Sequence, residues 1–315
     1  MIDFRYHLVS LIAVFLAVAL GIVIGTTQLN GGVLDNLQGQ VSSLEQDKRN
    51  LEDGTKQLKA QQSAGAAFDT AVAPVLVSGA LAGSSVLVVV ANDGVSADTV
   101  RGITALVSQA GGTLSGTVRL QPEYSDPAMV STLGSYLSSG GLPAGIQLPA
   151  SGDAGQLVAT LLGDVLMIPR SGTPAGTGAI SSVLAGLKAL GVLSQDGSQV
   201  TPANYALVLT SGDLQGAGAD QRTATLVQLA AALDAAGSGA VLAGDSVSAK
   251  STGLVGVVRA DPTTSVAVST VDNVDTINGQ ISTVLALGQE GAGTSGKYGT
   301  GQDAQPVPPL PAATR

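Results

Sequence analysis

Four carboxylates, Asp93, Asp213, Asp245 and Asp272, each follow a short apolar run that reads as a β-strand. If those strands run parallel, their C-terminal ends share one edge of a sheet, the edge where open α/β folds bind ligands. Asp93, Asp213 and Asp272 together form the candidate site for a small ligand or a hard cation that prefers oxygen. Each of them also has a local explanation. Asn92-Asp93-Gly94 and Ser211-Gly212-Asp213 have turn chemistry, and Asp272, Asn273 and Asp275 stand where they can cap a following helix.

Other chemistry has few residues to draw on. The chain contains no cysteine, which removes disulfides, zinc–thiolate sites and thiol nucleophiles together. Its one histidine, His7, lies at the entry to an apolar segment, so the rest of the chain cannot assemble a Ser-His-Asp arrangement. Beyond Met1, only Met129 and Met167 remain as soft ligands, too few for a dedicated soft-metal site. The stretch Gly291 to Gly296 (GAGTSG) fits GxGxxG but opens no helix, and Gly172 to Gly178 (GTPAGTG) lacks the Lys of a phosphate loop. No catalytic residue, cofactor site or metal ligand set emerges, and the chain reads as a non-enzyme. The net charge of −9, without a Lys/Arg cluster, repels phosphate backbones and argues against a nucleic-acid partner.

The elements that position these residues begin with an apolar helix. Leu8 to Ile24 (LVSLIAVFLAVALGIVI) carries no charge, and Gly25 to Thr27 completes a span of residues 8–27. Arg5 precedes it, whereas Gly25 to Asp47 holds no Lys or Arg. The positive-inside bias therefore leaves residues 1–7 in the cytoplasm and sends the rest outside, as a single-pass protein of the cell membrane. Ala17-Val18-Ala19 also resembles a signal-peptide cleavage site, but the apolar run continues past it, which favours an anchor.

A heptad pattern follows over residues 33–62. With Leu34 at position a, the a/d series is Leu34, Leu37, Val41, Leu44, Lys48, Leu51, Thr55 and Leu58. This predicts a coiled-coil stem about 40 Å long and a parallel homodimer, with a single amphipathic helix packed on its own domain as the alternative.

The opening MIDFRYHLVSLIAVFLAVALGIVIGTTQLNGGVLDNLQGQVSSLEQDKRNL resembles the N-terminus of the actinobacterial MctB family. The resemblance continues through a Val-rich α/β region to VAVSTVDNVDT (Val266 to Thr276) and a helix ending near Leu287. It implies ancestry, anchoring, a role in copper transport and an outer-membrane (mycomembrane) association. It identifies no copper ligand in this chain.

Residues 80–288 alternate strands and helices. Ser85 to Ala91, Thr113 to Leu120, Tyr205 to Thr210, Gly239 to Ala243, Leu254 to Arg259 and Val266 to Thr270 read as strands. Ser96 to Gln109, Pro127 to Ser138, Leu157 to Ile168, Ala179 to Leu190, Asp220 to Ala236 and Val274 to Leu287 read as helices. The fold class is thus α/β: a transmembrane helix, a coiled-coil stem, then a mostly parallel open sheet with helices on both faces. A membrane barrel would need girdles of aromatics, and aromatics are 3% of the chain. Residues 289–315, rich in Gly and ending in PVPPLPAATR, read as a disordered tail, or as a polyproline ligand over Pro306 to Pro311.

Two functions fit. The resemblance implies a non-enzymatic envelope protein in copper export or homeostasis. The alternative, which follows the architecture, is a coiled-coil adaptor that recruits an envelope partner for cell-wall remodelling or cell division.

Overall fold

The computed structural model describes residues 4–139, 142–143, 146–197 and 199–310, without the side chains of residue 4 and residues 27–34. Part of the expected cytoplasmic end (1–3), the Leu34 side chain and the last residues of the tail lie outside that set. The chain divides into two units, residues 1–65 and 66–315.

The N-terminal unit is helical and belongs to α1 (Phe4–Val77). The 22 residues Arg5–Thr26 have a mean hydropathy of 2.9 and bury nothing, so they can cross a membrane. Farther along, Lys48–Glu52, Arg49–Glu45 and Lys56–Asp53 pair at one-turn spacing and support the helix by a few tenths of a kcal/mol each. The seam residues Leu37, Val41, Leu44, Leu51 and Leu58 are all exposed.

In the second unit, β1 (Ser85–Val90) is an inner strand of the sheet, paired on both sides. It is followed by α2 (Ala97–Gln109), β2 (Thr113–Leu120), α3 (Val130–Ser138), α4 (Ala154–Leu166), α5 (Thr177–Ala189) and β3 (Leu193–Asp196). Then come β4 (Tyr205–Leu209), α6 (Ala219–Ala236), β5 (Gly239–Ala243), α7 (Leu254–Ala260), α8 (Thr264–Ala267), β6 (Ser269–Val271), α9 (Ile277–Gly291) and β7 (Lys297–Tyr298). The seven strands lie in the order β3-β2-β1-β4-β5-β6-β7, parallel except for the antiparallel edge strand β3.

The period of two along β1 divides the core. Val86, Val88 and Val90 face one side, packed with Ala73 and Val77 at the end of α1 and with Ile103 of α2 and Val284 of α9. Leu87 and Val89 face the other, beneath Val158 and Leu162 of α4, Leu229 and Leu233 of α6, and Val255 of α7. Both faces are covered, which is why the central strands read as unbroken apolar runs rather than alternating ones. Gly111 and Gly191 close α2 and α5 with φ of 82° and 75°, a left-handed conformation that glycine adopts without strain.

Four expectations need correction. Leu254 to Arg259 is helix α7, not a strand: Leu254, Val255 and Val258 are buried at one-turn spacing, and so short an apolar run carries no clear period. Val266 to Thr270 splits into α8 and β6, with Val266 itself 74% exposed. The polar edge strand β3 (LSQD) had no apolar signal to find. Finally, disorder does not begin at Gln289. Helix α9 runs on to Gly291, Lys297–Tyr298 adds β7 to the sheet, and the Gln289 amide donates to the Pro309 carbonyl at 3.1 Å.

Candidate functional site

The chain leaves β1 for β2 on one side and returns to β4 on the other, so the sheet has a topological switch point between β1 and β4. Ligands of open α/β sheets bind in the crevice above such a point. Here the crevice is about 80 Å³, lined by Gly94, Ser96, Thr99, Ser211, Asp245 and Asp275 among others. That is room for roughly two or three waters.

Its walls are stitched together by their own polar groups. Asn92 bridges the two strand ends: its Nδ2 donates to the Ser211 carbonyl (2.9 Å) and to Thr210 Oγ1 (3.2 Å), while its Oδ1 accepts from Ser211 N (3.3 Å). Ser96 caps α2 by accepting from Thr99 N at 3.0 Å. Asp245 accepts from Ser211 Oγ (2.7 Å), Gly212 N (3.0 Å) and Ser248 N (2.8 Å). Burial pushes its pKa up, but the Ser211 hydroxyl and the backbone donors outweigh it and hold the carboxylate below the ordinary range. An aspartate so fully engaged holds a loop and has little left for a ligand.

The three expected site residues are not brought together. Asp93 is exposed at the tip of its turn, and Asp213 is half-buried, accepting from Thr252 Oγ1 at 3.3 Å. Asp272 is 1% exposed and turns toward β7 instead: it accepts from Arg259 Nη1 (2.7 Å), Thr300 N (2.7 Å) and Gly301 N (3.0 Å). Burial raises its pKa, and the Thr300 amide and the Arg259 guanidinium more than reverse that. Among the described residues no three His, Cys, Asp or Glu side chains are placed to hold a metal ion. Met167 is buried at the end of α4, and Met129 packs partly buried in a separate 3₁₀ turn.

Changing Asp93 and Asp213 together to Asn is therefore expected to alter stability by less than about 0.5 kcal/mol. Urea unfolding followed by circular dichroism checks this, and a larger loss would show that the two carboxylates do more than decorate turns.

A larger cleft, about 800 Å³, opens at the opposite edge between Asp164, Met167, Arg170, Gly176 and Ala235. Arg170 is held there by the Gly237 carbonyl (3.1 Å), and burial raises the pKa of Asp164. Near the same edge, Glu290 at the end of α9 is 5% exposed, accepting from Ser269 N at 2.8 Å. Neither the Arg259–Asp272 pair nor Glu290 is visible as a site in sequence, since their partners lie far along the chain or are backbone groups.

The family described as "Copper transport outer membrane protein, MctB" matches residues 1–309. Proteins called "Copper transporter MctB" from Mycobacterium tuberculosis (strain ATCC 25618 / H37Rv) and Mycobacterium bovis are each 34% identical over 313 residues, 98% of this chain and 99% of theirs. The protein of the same name from Mycobacterium leprae is 36% identical over 318 residues, with the same coverage of 98% and 99%.

Proposed function

The chain belongs to the MctB family, and from that premise we propose that it is a membrane-anchored, non-enzymatic envelope protein that aids copper export or limits copper retention. The observation that carries the reading is the full-length match joined to an N-terminal helix that is apolar and exposed from Arg5 to Thr26. Arg5 before the span, and no Lys or Arg between Gly25 and Asp47, support a cytoplasmic N-terminus and an extracytoplasmic α/β unit, with association at the outer membrane. The strand-end carboxylates Asp245 and Asp272 are consumed by loop donors, which supports a role without catalysis and with copper as cargo handled alongside a partner.

A second reading has its own observation. The exposed side chains of Leu37, Val41, Leu44, Leu51 and Leu58 recur at heptad spacing, as a parallel homodimeric stem or an adaptor for an envelope partner in cell-wall remodelling requires. Lys48 and Thr55 interrupt that seam and suit a short pairing steadied by the membrane.

Copper content separates the two. Cells lacking the protein are expected to accumulate copper during growth in moderate copper, and complementation should lower it. Unchanged copper together with chained, unseparated cells would instead favour the adaptor. A Leu44→Pro change costs the stem roughly 3 kcal/mol and should abolish adaptor function, while direct copper handling by the α/β unit survives in part.

A further inference from the structure

The cleft of about 800 Å³ at the edge opposite the switch point is used by neither reading of the function. Its size lies within the range of about 300–1,000 Å³ that small ligands occupy. One wall is the end of α4 with the chain that leaves it, Pro169 to Gly176, and another is the end of α6. Two groups of opposite charge line it, Asp164 and Arg170, and both are exposed, so a ligand can reach them.

Neither charge is answered by a side chain. Among the described residues the Asp164 carboxylate has no hydrogen bond and no ion pair, and burial raises its pKa with no donor or cation to oppose it. Arg170 donates its Nε to the Gly237 carbonyl (3.1 Å) and its Nη2 to the Ser238 carbonyl (3.4 Å). Those bonds use the side edge of the guanidinium and fix its plane. The end edge, Nη1 with the second Nη2 hydrogen, has no acceptor among the described residues. Asp234 feels the Arg170 charge, but its Oδ1 accepts from Ala240 N and the two form no ion pair. A planar fork left free and held in place is suited to a carboxylate.

We propose that this cleft binds a short peptide of two to four residues as its zwitterion, with the C-terminal carboxylate on the Arg170 fork and the N-terminal ammonium on Asp164. Asp164 lies in the last turn of α4, so the chain allows the two Cα atoms to stand at most about 17 Å apart. Two to four extended residues span about 7–14 Å, and the two side chains supply the rest. Asp164 in the wall and the net charge of −9 disfavour phosphates and other polyanions. One carboxylate is too few to hold a metal ion in the cleft. Ile146, Pro174, Ala179 and Ala236 offer apolar surface to small side chains.

The test uses the full chain in phosphatidylglycerol nanodiscs, because a zwitterionic headgroup would compete. Saturation-transfer NMR is recorded with alanine peptides of two, three and four residues, each free, N-acetylated or C-amidated. Transfer to at least one free peptide is expected, with affinity falling about tenfold when either end is blocked and in Asp164→Asn or Arg170→Gln. In Asp164→Asn the acetylated and free peptides should bind alike, and in Arg170→Gln the amidated and free peptides should. The melting temperature of Asp164→Asn should be unchanged or raised, since the substitution removes an unanswered charge. No transfer to any free peptide, or equal binding of free and blocked peptides by the parent, overturns the proposal. A lowered melting temperature in Asp164→Asn overturns it as well, because the carboxylate would then already have a structural partner.

Discussion

Arg259→Met should lower the stability of the α/β unit by about 3–5 kcal/mol, the usual consequence of stripping a buried charge of its counter-ion. The guanidinium is 12% exposed and makes three bonds in three directions: Nε to Thr270 Oγ1 (2.9 Å), Nη1 to Asp272 Oδ2 (2.7 Å) and Nη2 to the Tyr298 carbonyl (2.8 Å). It thus ties α7 to β6, to the loop after β6 and to the short strand β7. The Met substitution keeps much of the apolar stem but leaves Asp272, 1% exposed, charged and facing two backbone donors and the Thr300 hydroxyl.

The pH dependence distinguishes this mechanism from lost packing. In the unaltered chain the folded pKa of Asp272 lies below its ordinary value, so its contribution is present above the unfolded pKa and lost as pH falls through the folded one. Without Arg259 the folded pKa should rise, and protonation at mildly acid pH should then relieve part of the damage. Urea unfolding at neutral and mildly acid pH is expected to show a smaller gap between variant and parent at the acid value. A gap equal at both would assign the loss to packing alone.

How far the sequence revealed this depends on the range of each interaction. Strands β1, β4 and β5 are buried on both faces, so their apolar runs (SVLVVV, YALVL and GAVLA) announce themselves. Helices α2 and α5 close on glycines, and α2 also opens on its Ser96 cap. By contrast, α5 begins at Thr177, two residues before the expected Ala179, with no side-chain cap to announce it. Leu254 to Ala260 was not, because seven residues rich in valine satisfy a strand and a helix equally until tertiary packing decides. The tail misled for a related reason. Its composition is that of a disordered segment, yet two residues of it find a sheet edge, and Tyr298 is 2% exposed there. The expected site fails on the same principle. Strand-end position was correctly read for Asp93, Asp213, Asp245 and Asp272, but which of them meets donors depends on loops 211–213, 248 and 300–301. Those contacts have no short-range signature.

Glu290→Gln should stabilise the protein above neutral pH and leave it nearly unchanged below about pH 4.5. Glu290 packs against Gly239 so closely that a side chain there would collide with it, and it lies beneath the start of β5 and β6. Burial, with the charge of Asp234 adding to it, lifts its pKa to about 7 against the opposing donors of Ser269 and Ser295. The Ser295 contribution to the ionised form is divided between two acceptors. Ser295 Oγ lies 3.2 Å from Glu290 Oε2 and 3.0 Å from the Ala267 carbonyl, and it has one proton to give. A protonated Glu290 donates to Ser295, which then donates to Ala267, and every group is satisfied. Because the folded pKa exceeds the ordinary value of 4.5, the folded chain binds a proton that the unfolded chain has lost between those two values. Stability from this group is therefore complete at low pH and falls as pH rises toward 7, by at most about 3 kcal/mol. A glutamine amide makes the same donation to Ser295 at every pH, so the advantage of the variant should grow through that window and then level off. Denaturant midpoints across the window measure it directly. A variant less stable than the parent at alkaline pH would mean that Glu290 is ionised and useful there.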